Sequence, residues 1–258
     1  MFRLLFVGDV VGEGGCEAVR ALVPGLRREL ALDAVIANAE NSAGGFGITE
    51  QTGEALLSVV DFLTLGDHAF DREGAAEYLE RERRVVRPAN LRGDPPGRGW
   101  SVFEASGVRV GVANVQGRVF MRDASSPFEA ADRAVEELER AEAEAILVDL
   151  HAEATSEKQA MGWHLAGRVA AVVGTHTHVP TADVRVLPGG TAYVTDVGMT
   201  GGDGVIGFDR EGWLDFFLRD RPLRPEPAAG SVRLDAVLVE IEGRRAVGAR
   251  RVSRERQA

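Results

Sequence analysis

An α/β sandwich is the fold class this sequence predicts, and two features of the chain lead there. The first half alternates short β-rich runs with polar stretches of helical character, a pattern that suits neither an all-helical nor an all-β chain. At 258 residues, 45% of them hydrophobic, the chain can bury a large core, and one domain over 1–258 is the default for that length. Neither an internal repeat nor a low-complexity linker interrupts it.

The elements follow in order. Strands are expected at 3–8, 33–38, 61–66 and 84–88. The clearest helix spans 127–142, with Ser126 as N-cap, Pro127 in the first helical position and Glu129 completing a capping box. The runs 145–150 and 170–174 read as buried strands, being short, apolar and bounded by turn residues. Between them a second helix is expected to start at Ser156, with Gln159 in the reciprocal capping position and His164 inside it. The stretch 221–230, with three prolines, is the most loop-like and is the place where a domain boundary would fall if there were one. Segments 232–241 and 244–252 alternate around Glu242-Gly243 as a closing hairpin.

Composition removes several functions. No apolar run approaches the ~20 residues that cross a bilayer, and the N-terminus reaches Gly8-Asp9 too soon for a signal peptide, so a soluble cytoplasmic protein is expected. Cys16 is the only cysteine, which leaves any metal to oxygen and nitrogen ligands. A formal net charge of −10 argues against stable nucleic-acid or anionic-membrane binding. A phosphate ester is still admissible, because bound cations invert the field locally.

Metal-capable side chains fall at strand ends. Asp9, Glu40-Asn41, Asp67-His68, His151 and the pair His176/His178 each follow a predicted strand, and in open α/β sheets ligands bind beyond the carboxyl ends of strands. Of the five histidines, His68, His151, His176 and His178 stand at those ends. One histidine is more often structural than a ligand, but four placed this way reverse the odds.

Gly174-Thr175-His176-Thr177-His178 is the strongest motif: two imidazoles past a turn can each serve one of two ions about 3.5–4 Å apart. The bland alternative is a solvated loop. Glu40 is the candidate bridge, since a carboxylate has an oxygen for each of two cations; a surface turn is the alternative for Glu40-Asn41. Asp9 is a helix N-cap or a ligand. Asp67 can bind a metal while His68 stays unligated, an imidazole being suited to donate a proton to a leaving alkoxide. Asp149 and Glu153 flank His151 as outer carboxylates or as exposed acids. Two glycine-rich segments, 44–47 and 198–204, are turns or places where backbone approaches a substrate.

With these motifs the chain resembles the calcineurin-like metallophosphoesterases, and within them the YmdB family of bacterial phosphodiesterases. The resemblance is carried by Leu5-Phe6-Val7-Gly8-Asp9-Val10-Val11-Gly12, Asn38-Ala39-Glu40-Asn41, Arg87-Pro88-Ala89-Asn90, His151-Ala152-Glu153-Ala154-Thr155-Ser156-Glu157, Gly174 to His178, and Thr195-Asp196-Val197-Gly198-Met199-Thr200-Gly201. It implies a four-layer αββα sandwich, a dinuclear iron or manganese centre, activity on phosphodiesters including 2′,3′-cyclic or 3′,5′-cyclic nucleotides, and a homo-oligomer. Carried over by residue, it implies one metal on Asp9, Glu40, Asn41 and His178 and the other on Glu40, Asp67, His151 and His176. His68 would be the proton donor, and a metal-bridging hydroxide would attack phosphorus in line with the departing alkoxide.

This sequence departs from the pattern twice. Val11 stands where the broader superfamily has histidine, which leaves Asn41 to complete that site. Asp67 stands where the family carries asparagine, so three carboxylates would neutralise a core that is otherwise singly positive, drawing phosphate less and holding metal more firmly. On that reading Asp67→Asn changes metal preference or raises turnover. The oxygen and nitrogen donors suit manganese or iron, with zinc admissible. Two other readings compete with the phosphodiesterase: a metal-dependent amidase or peptidase, separated by turnover of aryl phosphodiesters against peptides, and a regulatory metal-binding module acting through a protein partner, separated by whether His68→Gln abolishes function.

Overall fold

The computed structural model describes residues 1–257; residue 258, the last of the expected single domain, lies outside them. In chain order the first elements are β1 (Phe2–Val7), β2 (Asp9–Val10), α1 (Gly12–Leu30), β3 (Ala34–Asn38), α2 (Glu50–Leu57), β4 (Phe62–Thr64), α3 (Ala75–Arg81) and β5 (Val85–Val86). Next come β6 (Trp100–Ala105), β7 (Val108–Gln116), α4 (Pro127–Arg140), β8 (Ala145–His151), α5 (Thr155–His164) and β9 (Ala171–Thr175). The chain continues through β10 (Arg185–Leu187), β11 (Thr191–Val194), β12 (Met199–Gly202), α6 (Arg210–Arg219), β13 (Val232–Glu242) and β14 (Arg245–Arg256).

Two sheets result. One runs β2-β12-β13-β1-β3-β4-β5, with β14 also paired to β13, and the other runs β10-β11-β9-β8-β7-β6. Within the first, β1, β3, β4 and β5 are parallel; within the second, β7, β8, β9 and β11 are. Period-two alternation sorts their side chains into layers. Leu4, Phe6, Ile36 and Phe62 pack with Val110, Val112, Leu147 and Val173 between the sheets. Leu5, Val7, Val35 and Leu63 face α1, α2 and α3 on one outer side, while Ile146, Val148 and Leu150 face α4 and α5 on the other. Helix, sheet, sheet and helix make the four-layer αββα sandwich, and burial on both faces is why the strands read as continuous apolar runs.

Several expectations need correction. Ser126 Oγ caps α4 by accepting from Glu129 N at 3.3 Å, but only that half of the capping box forms. The second helix begins at Thr155 behind Ala154, with no side-chain cap, instead of at Ser156. Its register is set by packing: Met161 enters the core, Lys158 reaches Asp196, and Glu157 turns away to accept Arg118 N. The segment 198–204 is largely β12, a strand in the first sheet, and its glycines serve close backbone packing; a Cβ on Gly8 would lie 2.0 Å from Gly198 O. Asp9 caps no helix, since Val11 is the N-cap of α1. Several elements had no stated expectation in the sequence, among them α1, α2, α3, α6, the β10–β11 pair and the β6–β7 hairpin, whose Ser106-Gly107 turn has positive φ at both residues. Among the described residues no helix is long and apolar enough to cross a membrane.

Candidate metal centre

The parallel strands of both sheets end at the same side of the sandwich, and there the two sheets touch through polar groups. Asp149, fully buried on β8, accepts from Asn38 Nδ2 at 3.0 Å and Thr64 Oγ1 at 2.6 Å on the opposite sheet. Beyond that contact the ligand candidates gather. One ligand atom from each of Glu40, Asp67, His151 and His176 lies within 4.8 Å of the others. His151 Nε2 is 2.9 Å from Glu40 Oε1, 3.2 Å from Asp67 Oδ1 and 3.0 Å from His176 Nδ1, and His176 Nδ1 is 3.5 Å from Asp67 Oδ1. Neighbouring ligands of one divalent ion at about 2.1 Å are themselves about 3 Å apart, so this donor set fits such an ion.

Proton positions support the fit. Thr175 Oγ1 donates to Asp149 Oδ1 at 2.7 Å, so it can only accept from His151 Nδ1 at 2.9 Å. His151 therefore donates through Nδ1 and turns Nε2 to the centre, where a metal would take the place of its proton. His178 is arranged alike: Nδ1 donates to Ile206 O at 2.8 Å, leaving Nε2 facing Asn41 Oδ1 at 3.2 Å. Asn41 Nδ2 donates to Gly45 O at 3.0 Å, which fixes that oxygen as the inward atom. Two lone-pair donors thus meet with no proton between them. Asp9 Oδ1 and Asp67 Oδ1 are buried without any hydrogen-bond donor. Unpartnered buried acceptors in such number call for a cation.

In the ion-free chain a proton stands in for the cation: the surrounding acids favour the charged form of His151, and a metal would displace the proton from its Nε2. Burial pushes the Asp9 carboxyl up to about 7, against the pull of His178 and His151. Burial also works against ionised Glu40 and Asp67, but His151 beside them outweighs it and both lie below the usual carboxylate range. Burial and then the charge of His151 lower His176 to about 4, while Glu40 and Asp67 hold His151 well above the ordinary imidazole value in spite of its burial.

Supporting residues hold this arrangement. His176 and His178 both have positive φ, 99° and 64°, rare for non-glycine residues. Between them Thr177 N and Oγ1 donate to Asp196 Oδ2 at 3.2 and 2.8 Å, and buried Lys158 Nζ donates to the same oxygen at 2.7 Å. His176 N donates to Asp9 Oδ2 at 3.2 Å. Gly66 has no alternative, since a Cβ there would lie 2.1 Å from Glu40 Oε2 and 2.4 Å from the His151 ring. Glu153, half exposed, comes within 3.4 Å of His176 Nε2.

His68 lies at the rim. Its Nδ1 is 2.6 Å from Asp71 Oδ2, its backbone N donates to Glu40 Oε2 at 3.2 Å, and Phe46 packs edge-on against its ring. Arg122 reaches across from the second sheet to Asp67 and Asp71. The adjoining cavity, about 520 Å³, is lined by His68, His176, His178, Phe46, Phe208 and Trp213. A larger one, about 880 Å³ and lined by Arg87, Trp100 and Arg133, contains none of these ligands. All eight residues singled out in the sequence thus surround one region; His164 instead pairs with Asp132 at 2.9 Å. Sequence reading missed Asp71, Arg122, Lys158, Thr175 and Asp196. Asp71 had one signal, its position one helical turn after His68.

A family model described as YmdB-like protein matches residues 5–252. A 2′,3′-cyclic-nucleotide 2′-phosphodiesterase of Bacillus subtilis (strain 168) is 43% identical over 242 residues, covering 93% of this chain and 91% of its own. A hypothetical protein from Thermus thermophilus superposes with a TM-score of 0.92 at 43% identity, covering 98% of this chain and 99% of the other. A novel phosphatase from Mycoplasma pneumoniae does so with a TM-score of 0.92 at 29% identity, covering 99% and 94%.

Proposed function

Because the chain belongs to the YmdB-like family, we propose that it is a dinuclear phosphodiesterase that opens 2′,3′-cyclic or 3′,5′-cyclic nucleotides, with His68 as proton donor. The broader statement is that the chain is a metal-dependent phosphoesterase, a hydrolase of ester bonds. The observation that carries the reading is the convergence of Glu40, Asp67, His151 and His176 within 4.8 Å beside unpartnered Asp9 Oδ1 and the facing lone pairs of Asn41 and His178. One ion would rest on Glu40, Asp67, His151 and His176, the other on Asp9, Glu40, Asn41 and His178. Manganese or iron suits these donors best, with zinc third. Bound there, the ions supply an activated water and the positive charge that holds phosphoryl oxygens.

The chain's own residues orient and protonate. Asp71 takes the His68 Nδ1 proton at 2.6 Å and so leaves Nε2 to serve the leaving oxygen. Phe46 and Phe208 stack at 5.4 Å between ring centres and form an apolar wall suited to a nucleobase. The relative at 43% identity, a 2′,3′-cyclic-nucleotide 2′-phosphodiesterase, supports that substrate class.

The test joins metal analysis to a screen of 2′,3′-cyclic and 3′,5′-cyclic nucleotides, bis-aryl phosphates and phosphomonoesters. Two equivalents of metal and a preference for cyclic diesters are expected. His68→Gln should keep metal and fold while kcat drops about 10²–10⁴-fold, the usual worth of a general acid. Preference for monoesters, or a fully active His68→Gln enzyme, would defeat the assignment.

A further inference from the structure

Asp67 brings a third carboxylate to the centre, and the structure sets a guanidinium against it. Arg122 lies on the segment after β7, on the second sheet, and crosses to the turn after β4 on the first. Its Nε is 3.4 Å from Asp67 Oδ2, and its Nη1 donates to Asp67 O at 3.0 Å and to Asp71 Oδ1 at 2.9 Å. Its Nη2 donates to Asp71 Oδ2 at 3.1 Å and lies 3.2 Å from His68 Nδ1. That last nitrogen cannot accept, since its proton already goes to Asp71 at 2.6 Å. Three of the five guanidinium N–H groups therefore donate to Asp67 O and the Asp71 carboxylate, and Nε faces Asp67 Oδ2 as an ion pair.

The two oxygens of Asp67 are thereby made unequal. Oδ2 faces Arg122 and, at 3.8 Å, His68 Nε2, while Oδ1 is buried, undonated, and turned to His151 and His176. We propose that Arg122 is a positioning residue that holds Asp67 Oδ2 and offsets part of its charge, so that Asp67 offers the metal centre its Oδ1 alone, as the single oxygen of an amide would be offered. The inference rests on the functional reading above for the site but concerns its charge. It bears on the expectation that Asp67 makes the core neutral: the guanidinium, shared with Asp71, returns part of the positive charge that Asp67 removes and with it part of the attraction for phosphate. The same fork ties Asp67 to the His68–Asp71 pair, linking the ligand to the proton donor through one side chain.

The test is a double-mutant cycle of Arg122→Gln and Asp67→Asn, read by Mn²⁺ titration of the metal-stripped protein and by turnover of bis-p-nitrophenyl phosphate. Arg122→Gln uncovers a carboxylate, so it should tighten Mn²⁺ binding and slow turnover, each by about tenfold, a common size for coupled charges. Asp67→Asn alone should weaken Mn²⁺ binding by a similar factor, and the double variant should stay within about threefold of Asp67→Asn, because no carboxylate is left for the loss of Arg122 to uncover. Arg122→Lys, which keeps charge without the fork, should hold the parent's Mn²⁺ affinity and lose turnover. Circular dichroism establishes that each variant is folded. Arg122→Gln binding Mn²⁺ unchanged or more weakly, or effects that merely multiply in the double variant, would overturn the proposal. Affinity shifts of the expected sign in a protein that turns over no phosphodiester would leave it standing and overturn the functional reading, whereas a parent chain that binds no Mn²⁺ would remove both.

Discussion

Each of two candidate ligand imidazoles is oriented by an acceptor outside the cluster. His151 donates through Nδ1 to Thr175 and His178 through its own to Ile206 O, and both turn Nε2 inward. Holding the second of these, and His176 beside it, at positive φ costs on the order of 1–3 kcal/mol each, a strain that the Asp196 contacts to Thr177 and the Asp9 contact to His176 N offset. Gly66 is the sharpest single-residue test of how closely the cluster is packed. Its missing Cβ is the space in which Glu40 Oε2 and the His151 ring meet, at 2.1 and 2.4 Å from where that carbon would be. Gly66→Ala should therefore leave the far-ultraviolet dichroism intact and weaken metal binding by about 10–100-fold, the size of effect seen when support for a ligand is disturbed. Unaltered stoichiometry and affinity in that variant would mean that Glu40 and His151 have slack the structure does not show.

Among the elements, α1 shows how packing overrules composition. Gly14, Gly15, Gly25 and Pro24 disfavour a helix there, which is why it was not legible, yet the buried series Cys16, Val19, Val23 and Leu26 gives it a face against the first sheet. Gly15 lets that face come close, since a Cβ would lie 2.4 Å from Thr200 O. Cys16 reports on the packing directly: burial pushes its thiol up to about 12, so at pH 8 only about one part in 10⁴ is thiolate. A raised thiol value in the folded chain means that reactivity is suppressed until the pH approaches 12 or the helix detaches. Ellman's reagent should titrate no thiol in the native protein and one after denaturation in guanidinium; prompt native reaction would show that α1 is not seated. What the sequence did reveal were the candidate ligands that the fold brings together, because an acidic or imidazole side chain directly after an apolar run is placed by chain order alone. Arg122 and Lys158 could not be read that way. Their partners lie 55 and 38 residues away in sequence: Arg122 meets Asp67 only once the two sheets are stacked, and Lys158 meets Asp196 only once α5 has packed on the second sheet.

At the scale of the whole molecule, two mixed sheets, each with a parallel centre, are joined at one end by acids. Asp149 accepts from Asn38 and Thr64 of one sheet and Thr175 of the other, while Asp9, Glu40 and Asp196 are buried near it and Asp67 is half-buried at the rim. Burial raises Asp149 and Asp9 above the usual carboxylate range, the sign of charge held at a cost in a chain already at formal net −10. Divalent cations should therefore join the sheets as well as serve the chemistry. An ion that binds the folded chain and not the unfolded one stabilises it by about 2.7 kcal/mol at a hundredfold excess over its dissociation constant. Two such sites, at roughly 2–4 °C per kcal/mol for a chain of this length, predict a rise in Tm of roughly 10–20 °C between excess EDTA and saturating Mn²⁺. Scanning calorimetry measures it, and substitution of Asp149 by asparagine, which alters the contact between the sheets without removing a ligand, should lower both Tm values while preserving most of the gap. A gap below about 2 °C in the parent chain would mean that the acids are accommodated without the ions, and that the convergence of strand ends is not a metal site.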